Sequence, residues 1–156
     1  FETKEGPETR KMDHFAQDPR RYVQTERTLI VIKPDAVRRG LVGKIIQRFE
    51  DRSLKLIALE LRTLEKERLE DLYSPHRGKP FFNDLVEFMS SGPVAAAILE
   101  GPEVIKITRL MIGNTKSPEA APGTIRGDFG LGITENIIHA SDTLESFERE
   151  SKIFFP

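Results

Sequence analysis

The sequence predicts an α+β fold in which a four-stranded antiparallel sheet carries packed helices, and three observations predict it. Four short apolar runs read as strands, stretches with helical spacing lie between them, and the two most apolar runs, the first and third, suit the middle of one sheet. The order β-α-β-α-α-β-α-β-α is that of two split β-α-β units joined by extra helices, a ferredoxin-like sandwich. Such a sandwich is expected to give one sheet face to helices and leave the other to a partner or a site. A chain of 156 residues fits one domain that buries about 70% of its unfolded surface.

The first strand is "TLIVI" (28–32), apolar after Thr28, as a strand covered on both faces requires. Pro34 and Gly40 mark a turn region, after which Leu41, Val42, Ile45, Ile46 and Phe49 fall on one helical stripe. "LKLIALEL" (54–61) is a strand whose polar residues are spaced like those of a partly exposed edge. Leu69, Leu72 and Tyr73 make a short helical stripe opened by Thr63 and acidic residues, and "SPHRGKP" (74–80) breaks it. Phe82, Leu85, Val86 and Met89 mark the next helix. "VAAAIL" (94–99) is the second strand of central type, and its small residues admit close packing. A helix is expected over 102–112, with Pro102 in its first turn and Gly113 as its stop. "NIIH" (136–139) closes the set of strands, and Asp142 to Glu150 form the last helix with Ser141 as N-cap. Residues 1–26 mix opposite charges with Pro and Gly, show no sustained period, and read as a flexible extension ahead of a domain over 27–156.

Lys and Arg number 24 against 25 Asp and Glu, so the net charge of −1 offers no general attraction to nucleic acid or an anionic membrane. Any anion site must be local. The absence of Cys removes disulfides, zinc-thiolate centres and thiol nucleophiles. No apolar run approaches the roughly 20 residues of a membrane span, and a cytoplasmic protein is the expectation.

Residues 113–132, "GNTKSPEAAPGTIRGDFGLG", form a connection longer than compact domains usually keep without a use for it. Its glycines, prolines, Thr115 and Arg126 suit anion binding. Strings inside it mislead: "GDFGLG" has the wrong glycine spacing for a dinucleotide fingerprint, and "DFG" lacks the other protein-kinase motifs. "GLVGK" (40–44) is too short for a P-loop, so a nucleotide site here needs side-chain cations.

"ERTLIVIKPDAV", "RGLVGKIIQRFE", "HRGKPFF", "PGTIRGDFG" and "NIIHASD", in this order, resemble nucleoside diphosphate kinase over roughly residues 26–155. The resemblance implies transfer of a γ-phosphoryl group from a nucleoside triphosphate to a nucleoside diphosphate through a phosphorylated histidine, with Mg2+ on the phosphates. It assigns the nucleophile to His139, a lone His that would otherwise read as a structural hydrogen-bonding group at a strand end. Neutral imidazole is the reactive form, and a covalent intermediate lets one site serve donor and acceptor in turn, which gives ping-pong kinetics. Glu150 matches the residue that hydrogen-bonds the ring nitrogen facing away from the phosphate, and Ser141 matches its supporting hydroxyl.

Arg109, Arg126 and Thr115 match the family's phosphate contacts, with Tyr73 and His76 where some members supply more. A charge pair at about 4 Å in an effective dielectric near 20 is worth about 4 kcal/mol, so two arginines could carry much of the barrier reduction. Asp142 resembles the residue that reaches Mg2+ through water. Lys33 and Asn136 match contacts to the ribose hydroxyls, and Phe81 matches the aromatic that stacks on the base, with Leu85 and Ile133 lining the same slot. Stacking without edge-specific hydrogen bonds accepts any base.

The chain departs from the family pattern in two places. Lys116 and Ser117 stand where Asn-Pro usually follows the loop threonine, with Pro delayed to 118, and Ala140 follows His139 where many members have Gly. The family also implies a homo-oligomer, a hexamer or else a tetramer, that needs neither membrane nor nucleic acid. A scaffold that kept the fold and lost turnover is opposed by the intact catalytic positions. A nucleic-acid-binding sheet module is opposed by strands that are aliphatic rather than aromatic.

Overall fold

A computed structural model describes residues 25–156. The strands are β1 (Thr25–Ile32), β2 (Lys55–Arg62), β3 (Val94–Pro102) and β4 (Ile138–Ala140). They form one antiparallel sheet in the order β2-β3-β1-β4, so the first and third strands are central and β2 is an edge, as expected. The expected extension lies outside the described residues except for Thr25 and Glu26. Those two belong to β1, pairing with Pro102 and Gly101, and the Glu26 carboxylate accepts the Ile105 amide at 3.3 Å. Polar residues hid this start because the strand's first turn of chain meets solvent.

The helices are α1 (Pro34–Arg38), α2 (Val42–Asp51), α3 (Lys66–Leu72), α4 (Phe82–Met89), α5 (Val104–Ile112), α6 (Ile125–Phe129) and α7 (Leu144–Phe154). Alternate residues of β1 enter two separate cores: Ile30 and Ile32 pack with α2 and α5, and Leu29 and Val31 with α3, α4 and α7. Both sheet faces are therefore covered, which corrects the expectation of one open face. The reason is arithmetic of apolar surface: β1 and β3 are apolar at successive positions, so each face needs its own layer.

Several boundaries move for local physical reasons. Pro34, read as a turn residue, opens α1 at the position where a missing N–H costs nothing. Pro102 ends β3 instead of opening the next helix, and Glu103, at φ 52°, makes the bend into α5. Ser141 does not cap α7. Thr143 does, its side chain accepting the Ser146 amide, which leaves the Ser141 hydroxyl for another partner. The long connection is folded on itself, with a single 3-10 turn at Ser117–Glu119 followed by α6. Gly113 (φ 89°) ends α5 in a conformation that side chains resist, and a Cβ at Gly127 would collide with the Ala121 carbonyl. Arg48 of α2 fastens this segment through Asp128 at 2.6 Å and the Gly123 carbonyl at 3.1 Å.

Candidate active site

His139 is paired directly with Val31 across β1 and β4. Opposed residues in an antiparallel pair point to the same face, so the imidazole lies on the side of α3, α4 and α7. α7 presents Glu150 and Phe154, one turn apart, to that side, and both are buried. Glu150 Oε1 accepts from His139 Nε2 at 2.9 Å and from the Ser141 hydroxyl at 3.0 Å. Burial pushes the Glu150 carboxyl up, yet the bonds from His139 and Ser141 and the charges of His139 and Arg149 outweigh it, and the group stays below the ordinary carboxylate value. With Nε2 committed as a donor to a carboxylate, the Nδ1 lone pair is the one left to react.

The ring opens on a cleft of about 460 Å3. The edge of His139 meets the Tyr73 ring at 6.0 Å, and His76 lies 5.4 Å from Phe81 between centroids. Burial pushes the Tyr73 hydroxyl up, and the Glu150 charge adds to it, so the phenol stays protonated. Arg109, from α5, pairs with Asp142 at 2.9 Å and leans on the Ala140 carbonyl at 3.4 Å. Arg126, from α6, is almost wholly buried and donates to the carbonyls of Asn136 (3.3 Å), Gly113 (3.1 Å) and Ile138 (2.6 Å). Burial, and then the charge of Arg109, lower its pKa to about 10, which still leaves it cationic near neutrality. A guanidinium has five N–H groups, so the two not spent on carbonyls remain for an anion.

Lys33 follows β1 directly, and its ammonium donates to Asn136 Oδ1 at 2.6 Å and to the Thr134 carbonyl at 3.4 Å. Asn136 in turn donates to the Thr115 carbonyl at 2.9 Å, tying both ends of the cleft floor together. Burial and the charge of Arg126 lower the Lys33 pKa to about 8. Phe81 and Ile133 stand at the rim, 46% and 60% exposed, with Leu85 between core and cleft. An apolar slot beside a cationic floor is the arrangement that a base and its phosphates require.

Every residue singled out from the sequence as catalytic, nucleotide-binding or metal-reaching touches this cleft or, for Glu150 and Ser141, the back of the imidazole. A wider hollow of about 780 Å3 lies at the far end of β1, lined by Asp51, Arg52, Pro102 and Glu103, but no titratable groups converge there on a reactive one. Sequence reading missed Arg149, which donates to the Asp71 and Leu72 carbonyls at 2.9 and 3.3 Å and stands 3.5 Å from Glu150 Oε2. Only its position beside Glu150 could have marked it. Of the departures, Ala140 is an ordinary buried strand residue whose methyl joins the core, so it needs no glycine's freedom. At the loop, Asn114 Oδ1 accepts the Lys116 amide at 2.9 Å, and Ser117 is buried.

The strain of the site is concentrated two residues before His139. "NIIH" is a strand only from Ile138 onward, because Ile137 takes φ 63° and the Ile138 amide folds back to the Asn136 carbonyl at 2.8 Å, a γ-turn. A β-branched residue in that region is a true outlier, costing on the order of 1–3 kcal/mol. Its carbonyl is held by the Lys33 amide at 2.8 Å.

Comparison with known proteins agrees with this geometry. The family model described as nucleoside diphosphate kinase matches residues 26–156. A nucleoside diphosphate kinase of Hyperthermus butylicus is 60% identical over 130 residues, covering 83% of this chain and 92% of the relative, and one of Thermoplasma acidophilum is 53% identical over 131 residues, covering 84% and 88%. The crystal structure of the Aquifex aeolicus nucleoside diphosphate kinase superposes with TM-score 0.83 at 47% identity, covering 85% of this chain and 96% of that one. The Halobacterium salinarum enzyme, solved in complex with CDP, gives 0.82 at 42%, covering 85% and 88%. With the sheet order, the cleft and these likenesses in agreement over the same residues, the chain belongs to the nucleoside diphosphate kinase family, enzymes that pass a phosphoryl group between nucleotides.

Proposed function

We propose that His139 Nδ1 carries the phosphoryl group in this chain. The observation behind the reading is the 2.9 Å bond from Nε2 to a buried carboxylate, with both arginines lining the cleft that the other nitrogen faces. In the first half-reaction the Nδ1 lone pair attacks the γ-phosphorus, the bond from phosphorus to the bridging oxygen breaks, and the nucleoside diphosphate leaves with that electron pair. In the second, a terminal β-phosphate oxygen of an incoming diphosphate attacks the phosphorus, and the N–P bond returns its pair to the imidazole. Glu150 holds the Nε2 proton throughout and balances the positive charge that grows on the ring. Arg109 and Arg126 stabilise the charge spread over the transferring oxygens. Lys33 and Asn136 orient the ribose, Thr115, Tyr73 and His76 border the phosphates, and Phe81 with Leu85 and Ile133 sandwiches the base.

Mg2+ fits this site as a companion of the nucleotide. Among the described residues no group of three or more acidic, His or Cys side chains could cage an ion. Mg2+ commonly rests on phosphates, waters and one or two carboxylates, and Asp142, already paired with Arg109 at the cleft, is the carboxylate that would hold it through water. When bound it neutralises phosphate charge.

Incubation with γ-labelled ATP and Mg2+ tests the proposal. An acid-labile, base-stable label should appear on the chain and be removed by ADP or GDP, whereas a chain that stays unlabelled overturns it.

The Lys33 shift predicts a pH limb. Below about 8 the ammonium is charged and attracts the nucleotide; above it the charge is lost, so KM should rise with pH by up to about tenfold per unit. Steady-state KM from pH 7 to 10 reads this, and Lys33→Met should raise KM at pH 7 and flatten the limb.

The chain acts on nucleoside di- and triphosphates in the cytoplasm and works as a homo-oligomer, a hexamer in preference to a tetramer. Among the described residues no helix is long and apolar enough to cross a membrane. Supporting self-association, edge strand β2 exposes Leu59 and Leu61, a surface that natural sheets rarely leave bare. Light scattering should return a multiple of 17.7 kDa, and a monomer at micromolar concentration would refute the assembly.

A further inference from the structure

We infer that Arg149 is a positioning residue for the phosphoryl-carrying imidazole: its guanidinium ties Glu150, behind the ring, to the end of α3, which sets Tyr73 against the ring's edge. The two groups that fix the imidazole come from different helices. Glu150 belongs to α7 and bonds Nε2, whereas Tyr73 directly follows α3 and meets the ring at 6.0 Å between centroids.

Glu150 is held unevenly. Its Oε1 takes the bonds of both His139 and Ser141, at 2.9 and 3.0 Å, whereas among the described residues Oε2 receives only Arg149 Nη2, at 3.5 Å. That contact is long, but it is the one restraint on the second oxygen. A carboxylate fixed through one oxygen alone is free to pivot about it, and the pivot turns its bond to Nε2 out of line.

Tyr73 has no side-chain anchor either. Its hydroxyl is buried without a hydrogen-bond partner among the described residues, so the ring is placed by the backbone that leads into it. Arg149 holds that backbone. Nη1 donates to the Asp71 carbonyl at 2.9 Å and Nη2 to that of Leu72 at 3.3 Å, two of the last carbonyls of α3, where helical amides run out. One planar fork thus spans from the residue before Tyr73 to the free oxygen of Glu150, a reach that a single ammonium nitrogen does not have.

Arg68 supplies the contrast. It joins the same two helices in the opposite sense, donating from α3 to the Ile153 carbonyl of α7 at 3.3 Å, and among the described residues it bonds neither Glu150 nor the carbonyls ahead of Tyr73. If the helix pair needed only to be tied, the two arginines would be equivalent; if the imidazole needs its two supports aligned, only Arg149 should affect the rate.

The role rests on His139 as nucleophile and Glu150 as its partner, and the experiment tells their failure from its own. Single-turnover labelling by γ-labelled ATP, over a range of ATP concentrations, is measured for Arg149→Met, Arg149→Lys, Arg68→Met, Glu150→Gln and the double variant Arg149→Met/Glu150→Gln, with His139→Ala alongside. Arg149→Met should reach a maximal labelling rate about tenfold below that of the unaltered chain, with the ATP concentration at half-maximum changed less than about threefold. Arg149→Lys should fall between the two, and Arg68→Met should label like the unaltered chain. On top of Glu150→Gln, Arg149→Met should slow labelling by about threefold or less, since much of its effect passes through that carboxylate. The Arg149 side chain is 40% exposed, so replacing it opens no cavity; should Arg149→Met still fail to fold, Arg149→Lys and Arg68→Met decide the matter. An unaltered maximal rate in the Arg149 variants, a loss confined to the half-saturating concentration, an equal loss in Arg68→Met, or the same tenfold loss with and without Glu150→Gln overturns the positioning role. Label persisting in His139→Ala, or an unaltered rate in Glu150→Gln, overturns the reading beneath it, and the positioning role falls with that reading.

Discussion

His139→Ala is expected to lower turnover by about 10^4-fold or more and to leave the chain unlabelled by γ-labelled ATP. No other group in the cleft can take over. The Tyr73 hydroxyl is held protonated by burial, and His76 directs Nδ1 toward Lys79 at 3.4 Å instead of toward a carboxylate that could balance charge on its ring. His76→Ala should accordingly still be labelled. If label survives in His139→Ala and vanishes in His76→Ala, the nucleophile has been misassigned. The same variant carries a stability signature through Glu150. In the native chain the folded carboxyl titrates below its ordinary value of 4.5, so its stabilisation is complete above that value and is lost as pH falls through the lower folded one. Removing the imidazole takes away a bond and a charge that depress it, while the burial that raises it remains. Acid unfolding of His139→Ala should therefore begin at higher pH than that of the unaltered chain, as followed by circular dichroism.

Arg126→Ala is the second large effect, and it should appear in folding and in transfer together. The side chain donates to three carbonyls, those of Gly113, Asn136 and Ile138, and the Asn136 oxygen also holds the Ile138 amide. Losing them should cost about 3 kcal/mol in urea unfolding, less than the sum of three buried acceptors because water can enter from the cleft. Transfer should fall about 10^3-fold, since the free N–H pair of the guanidinium is lost from the charged oxygens. Arg126→Lys separates the two functions. It restores a charge near the phosphates but cannot fork across three carbonyls, so it should recover rate more than stability. Full stability in Arg126→Ala would mean that the carbonyl network is incidental.

What the sequence made legible follows from periodicity and from motif order. β1 and β3 announce themselves as central because residues 29–32 and 94–99 within them are apolar without interruption, and both are central. The residues assigned to the site by resemblance converge on one cleft although they are scattered from Lys33 to Asp142. The misses are cases in which tertiary contact overrides a local signal. Nothing in "NII" announces a left-handed Ile, since Ile is among the residues least suited to it; the turn is held by hydrogen bonds from Lys33 and Arg126, both outside the local stretch. Ser141 reads as a cap because Ser favours caps, but its hydroxyl is drawn to Glu150, and Thr143 has the freer geometry. The second covered face was hidden because the helices of both layers have similar stripes, and a stripe does not say which side of a sheet it will meet.

The pairing of Val31 with His139 also bears on how the chain is made. On the ribosome, the strand bearing Val31 emerges more than a hundred residues before the helix bearing Glu150. Until translation has passed that helix the imidazole has neither its carboxylate nor a finished groove beside it. A nascent or truncated polypeptide can therefore bind no triphosphate productively and squander none, and the first competent molecule is a fully folded one.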